Sequence, residues 1–110
     1  MSKGSWPARV LLIIAALSGG SCVSVEQSAP RVETLAPTMR LGAVSLLEHG
    51  RDIYVTKCAE CHQVEPVRNY PASEWENTIL PEMNEEAKLS ATEAAAVRAY
   101  VMSVLRSPAS

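Results

Sequence analysis

The chain has 110 residues, with ten Lys and Arg against twelve Asp and Glu and a net charge of −2. That length supports one small domain beside any targeting segment. The acidic balance excludes the basic face that nucleic-acid binding requires, so no nucleic-acid partner is expected.

The N-terminus carries a targeting pattern. Lys3 and Arg9 make a positive n-region, residues 10–17 (V-L-L-I-I-A-A-L) form an apolar stretch of eight, and Ser18-Gly19-Gly20-Ser21 are small. This is the layout of a secretory signal peptide over 1–21, too short to span a bilayer as a mature helix. Cys22 follows at once. Ser21-Cys22 resembles the end of a bacterial lipobox, whose cysteine becomes the lipidated N-terminus, although Gly19 stands where such a box usually has Leu. Ordinary cleavage after Ser18 is the alternative, and it would leave an unpaired thiol in an oxidising compartment. Lipidation of Cys22 accounts for all three cysteines once the next motif is read, and it is preferred. The expectation is a lipid-anchored protein on the periplasmic side of a bacterial membrane. Val23 stands where an inner-membrane retention Asp would sit, which favours the outer membrane. Without residues 1–21, eight basic and twelve acidic residues remain, for a net charge of −4.

Residues 22–40 mix Ser, Pro, Thr and charge without clear periodicity. They read as a lipid-attached flexible tether, reaching about 60 Å when extended and about 25 Å as a coil, with an N-terminal strand packing on the domain as the alternative. The domain proper is then 41–110. It has no Phe and no cysteine pair left for a disulfide, so its core is marginal and a staple is expected.

Three helices are predicted in that domain. The first covers about 42–57, with Val44, Leu47, Arg51, Tyr54 and Val55 at helical spacing. Gly50 lies inside it at a cost of about 1 kcal/mol relative to Ala, a substitution that often permits close helix approach. The second starts near Ser73, where Ser73 and Glu76 have capping-box spacing, and Pro81 is expected to end it. The third starts near Ser90, where Ser90 and Glu93 repeat the box. Ala94, Val97, Tyr100 or Val101, and Val104 make its apolar side, and Met102 lies off that stripe. No alternating strand pattern of useful length occurs, so the fold class is all-α.

Cys58-Ala59-Glu60-Cys61-His62 stands just after the first helix. C-x-x-C-H is the attachment signature of a c-type haem. Residues three and four apart share a helical face. Cys58 and Cys61 can therefore both reach vinyl groups on one porphyrin edge, while His62 ligates the iron as its proximal ligand. A thioredoxin-like dithiol would need a βαβ setting, which is absent. A zinc site would need four ligands, and only His49 remains as a fourth.

With these residues in place, the chain resembles a small class I cytochrome c over 46–105. The resemblance is carried by L-L-E-H-G-R-D-I-Y-V-T-K-C-A-E-C-H at 46–62, E-W-E-N-T-I-L-P-E-M at 74–83, and L-S-A-T-E-A-A-A-V-R-A-Y-V at 89–101. It implies a cytochrome c-like helical domain in which N- and C-terminal helices cross around one covalent haem c. It also implies a Met thioether as the distal iron ligand. Met83 is the candidate, because Pro81 is expected to leave it on a loop, whereas Met39 falls in the tether and Met102 in a helix. Met83 follows His62 by only 21 positions, a shorter interval than in many class I cytochromes. Trp75, Arg51, Lys57 and Arg68 are candidate propionate partners, with core packing or solvated surface as the alternatives. His49 reads as a surface residue. Glu82, Glu85 and Glu86 read either as a solvated face or as a surface that steers a basic redox protein.

The implied function is one-electron transfer between a donor and an acceptor protein, as a free carrier or an accessory subunit, and not enzymatic catalysis. A different class follows if Met83 does not ligate: an open sixth position that binds a diatomic gas or reduces peroxide. No distal His or Arg acid–base pair accompanies the motif, which counts against that class.

Overall fold

The computed structural model describes residues 24–58 and 63–108, and every regular element among them is helical. Three helices matter most. Helix α1 is Val44–Val55. Helix α2 runs over 72–86 as Ala72–Glu74, a π-helical segment Trp75–Ile79, and Leu80–Glu86. Helix α3 is Ala91–Arg106. Single turns at Val25–Ser28, Val32–Thr34, Pro37–Met39 and Val67–Asn69 complete the chain. None of the described helices is long and apolar enough to cross a membrane.

Helices α1 and α3 form the main packing pair, and Gly50 lies where they meet. A Cβ at Gly50 would fall on the Ala96 carbonyl, 2.6 Å from its carbon and 3.0 Å from Tyr100 Cβ. The glycine therefore brings two backbones together. The buried face of α1 is Leu47, Gly50, Ile53 and Tyr54, centred on that contact. The stripe expected from spacing began one turn too early. Val44 is the first helical residue, lies beyond the contact, and is 41% exposed. Ile53 takes a place in the core that spacing had not assigned to it.

Helix α3 begins as expected. Ser90 Oγ accepts the Glu93 N–H, and the Glu93 carboxylate accepts the Ser90 N–H. Further along, α3 is buried on more than one side. Tyr100, Val101, Met102, Ser103 and Val104 are all inside. Met102, expected off the buried stripe, is only 8% exposed. Segments flanking the helix pair cover that side, since α3 also meets the Pro37–Met39 and Val67–Asn69 turns.

The segment read as a tether is part of the fold from residue 24 onward. Ala29, Val32 and Leu35 are buried in the core. Arg51 Nε donates to the Ala29 carbonyl at 3.0 Å, Tyr100 Oη to the Pro30 carbonyl at 2.7 Å, and the Leu41 N–H to Ser103 Oγ at 2.8 Å. The turns leave every third residue on one side, so three apolar residues among polar neighbours suffice to bury it. This strap supplies part of the apolar mass that the small domain lacks. The signal-peptide reading over 1–21 and the lipidation reading at Cys22 lie outside the described residues.

Helix α2 departs most from expectation. It starts at Ala72 after Pro71, without a side-chain cap, so Ser73 and Glu76 form no capping box. Glu76 instead meets Arg98 of α3 at 2.6 Å. Pro81 does not end the helix. In the π segment the Leu80 N–H reaches back five residues to the Trp75 carbonyl. Pro81 then stands in the first turn of the following α-segment, where its missing N–H costs nothing.

Candidate cofactor site

Cys58 is delivered by the way α1 ends. The Thr56 N–H and Oγ1 both bond the Asp52 carbonyl, at 3.1 and 2.5 Å, and the Cys58 N–H reaches back to the Ile53 carbonyl at 3.2 Å. This wide turn sets the Cys58 side chain against the apolar core, half-buried and free of any disulfide. Burial pushes its thiol pKa up. An activated redox thiolate is shifted the other way, so the environment disfavours a thioredoxin-like role. Ala59, Glu60, Cys61 and His62 lie outside the described residues.

The chain on both sides of 59–62 is pinned. Ahead of it, Lys57 Nζ meets Glu93 at 2.7 Å, tying the end of α1 to the start of α3. Behind it, the Glu65 carbonyl accepts from the Tyr54 hydroxyl, and the Val67 carbonyl accepts from Trp75 Nε1 at 2.8 Å. Arg68 Nη2 donates to the Val104 and Ser107 carbonyls, both at 3.2 Å, at the negative end of α3.

Glu93 is in both the Lys57 pair and the capping box. The Lys57 ammonium, with the Ser90 N–H next, draws its pKa from 4.5 down to about 2. A carboxylate with a depressed folded pKa stabilises the fold above its unfolded pKa, and loses that contribution as the pH falls through its folded value. Glu93→Gln is expected to flatten the dependence of melting temperature on pH between about 4.5 and 2, with little change in its shape above pH 6. Thermal melts of both proteins across that range check it.

Met83 stands on the helical part of α2, half-buried and packed against the core, and not on the loop that Pro81 was expected to create. Pro81 is absorbed by the π segment, so the chain stays helical through Met83. Short π segments are frequent at functional sites. His49 is exposed on α1, as expected. Glu82, Glu85 and Glu86 are exposed on α2.

The residues suggested as propionate partners each have a protein partner. Trp75 is fully buried and its N–H goes to Val67. Arg51 goes to Ala29, Arg68 to the end of α3, and Lys57 to Glu93. Each bond closes a contact between segments distant in sequence, which spacing alone does not reveal. Glu65 was not singled out from sequence. It accepts from two tyrosines, at its backbone from Tyr54 and at its carboxylate from Tyr70 at 3.1 Å. Its place three residues after a C-x-x-C-H run was the available signal.

The donor chemistry fits a covalent haem. Two thiols, one imidazole and one thioether are the c-type set, and the two described members, Cys58 and Met83, both border the same apolar core. Among the described residues no group of three His, Cys, Asp or Glu side chains converges to hold a bare metal ion. No family model, curated protein or solved structure matches the chain.

Proposed function

We propose that the chain is an exported mono-haem c-type cytochrome with a cytochrome c-like fold, serving as a one-electron carrier or accessory redox subunit in a bacterial redox chain. The observation that carries this reading is a half-buried thiol, Cys58, opening a C-x-x-C-H run at the edge of an apolar core. Cys58 and Cys61 would hold the haem by thioether bonds, His62 would be the proximal iron ligand and Met83 the distal one. Bound there, the haem supplies a reversible one-electron couple, and His–Met ligation places it at higher potential than bis-His. The chain supplies burial and an acidic surface at Glu82, Glu85 and Glu86 toward redox partners. Lipid attachment at Cys22 would hold it at the periplasmic face of a membrane, with the outer membrane favoured.

The helical setting of Met83 gives weight to a second reading, an iron with an open sixth position that binds a diatomic gas or reduces peroxide. One experiment separates the two. A haem ligated by Met83 has a weak charge-transfer band at the red end of the oxidised spectrum. Met83→Ala is expected to abolish that band, lower the reduction potential and open the iron to rapid carbon monoxide binding, while the haem stays attached. Rapid carbon monoxide binding by the unaltered protein would establish the open-site reading in its place.

A further inference from the structure

The four described Tyr and Trp rings form one connected chain. Tyr54 and Tyr100 have ring centroids 6.3 Å apart, Tyr54 and Trp75 6.0 Å, and Trp75 and Tyr70 6.1 Å. Spacings of this size also occur in ordinary aromatic packing. The hydrogen-bond partners set this chain apart. The protein has three tyrosines. Tyr54 donates to the Glu65 carbonyl and Tyr100 to the Pro30 carbonyl. A backbone carbonyl cannot take up a proton near neutral pH. Tyr70 donates to the Glu65 carboxylate at 3.1 Å, and that group can.

Position adds direction. Trp75, Tyr54 and Tyr100 are fully buried, whereas Tyr70 is half-buried and lines an open groove of about 590 Å³ with Arg68, Asn69, Pro71 and Leu105. At the inner end, Tyr54 belongs to the core cluster against which the Cys58 side chain packs.

We infer that Tyr54, Trp75 and Tyr70 form a relay that carries oxidising equivalents from the interior beside Cys58 to the surface groove, with Glu65 as the proton acceptor at its outer end. The relay stands on the aromatic geometry, and only its inner source rests on the cytochrome reading. The initiating species is a one-electron oxidant such as a peroxide-derived radical. It removes one electron from Trp75, with the Tyr54 ring as a bridge that keeps its own proton. The indole N–H faces the Val67 carbonyl, which accepts no proton, so the radical cation remains a strong oxidant. It takes one electron from Tyr70, whose phenolic proton passes to Glu65. The products are neutral Trp75, a neutral tyrosyl radical at Tyr70 and a protonated Glu65. A dissolved one-electron reductant such as a thiol or an enediol in the groove then returns the electron, and Glu65 returns the proton to the phenolic oxygen. The Glu65 hydrogen bond and charge raise the Tyr70 pKa, so the phenol holds its proton until the electron leaves.

The test uses the exported protein as purified, with loss of residues 1–21 checked by mass, so that Trp75 is the one indole present. An ultraviolet flash photoionises Trp75, a scavenger removes the ejected electron, and transient absorption follows the tryptophanyl and tyrosyl bands. The expected result is decay of the first matched by growth of the second. Tyr70→Phe, which keeps the ring, should abolish the growth and prolong the tryptophanyl signal. Glu65→Gln should slow the transfer about a hundredfold, the low side of what a positioned base contributes. Tyrosyl growth that persists unchanged in Tyr70→Phe, or no growth in the parent, would overturn the relay. Haem staining of the same sample reports on the cofactor separately, so the two readings fail independently.

Discussion

Replacing Cys58 and Cys61 together by Ser will give a protein that carries no peroxidase-active colour on a denaturing gel, while the parent stains at its own mass. The expected change is complete loss, because haem without a thioether bond leaves the chain under denaturation. The parent should also be heavier than its polypeptide by one haem, with any lipid accounted for separately. The variant is expected to melt at lower temperature and over a broader range. Its described core is closed mainly between α1 and α3, while Val55, Val64, Met83 and Leu89 are only partly buried around it. A small domain whose rim depends on a bound group loses that stabilisation with the group. A sharp, parent-like melt of the double variant would overturn the stability half of this expectation. A colourless parent of unmodified mass, made in a host competent for haem attachment, would overturn the cytochrome reading itself.

Where chemistry is written in consecutive residues, local reading succeeded. The Ser90–Glu93 box is a four-residue device, and it formed as its spacing required. Gly50 within an apolar stripe announced a close helix contact, and Ala96 and Tyr100 stand there. Reading failed where burial comes from elsewhere in the chain. Ala29, Val32 and Leu35 lie among Ser, Pro and Thr with no continuous helical period, and their burial exists only once α1 and α3 have met. Met102 reads as marginal against α1 alone, yet other segments cover its side of α3. Pro81 shows how a correct local rule can mislead. Proline does break an α-helical hydrogen-bond ladder, but the π segment before it restarts the ladder. The C-x-x-C-H run can be recognised without the fold, because its signature is a spacing within five residues.

The strap also changes what a lipid at Cys22 would do. A free linker of 22–40 would let the domain range over about 25 Å. With Ala29, Pro30 and Leu41 held by Arg51, Tyr100 and Ser103, an anchor at Cys22 would have a much shorter free span before the body of the domain. A domain anchored in that way would present a restricted set of orientations to the membrane.

Gly50→Ala is expected to destabilise the fold by about 2–3 kcal/mol, which lowers the melting temperature by roughly 10–20 °C for a domain of this size. Two effects oppose each other. Alanine favours helix over glycine by about 1 kcal/mol. Against this, the added Cβ would meet the Ala96 carbonyl and lie 3.0 Å from Tyr100 Cβ. A backbone carbonyl in mid-helix cannot rotate aside as a side-chain tip can, so α1 and α3 must separate. Separation loosens Leu47, Tyr54, Val97 and Tyr100 together, all of them fully or almost fully buried. It also strains the 2.7 Å bond from Tyr100 to Pro30, and so reaches the strap. Overpacking therefore outweighs propensity. Ala96→Gly added to Gly50→Ala should give no rescue, because the obstructing atoms belong to the Ala96 backbone and not to its methyl group. Recovery of the parent melting temperature in that double variant, or a change within about 2 °C in the single one, would mean that the helices meet elsewhere.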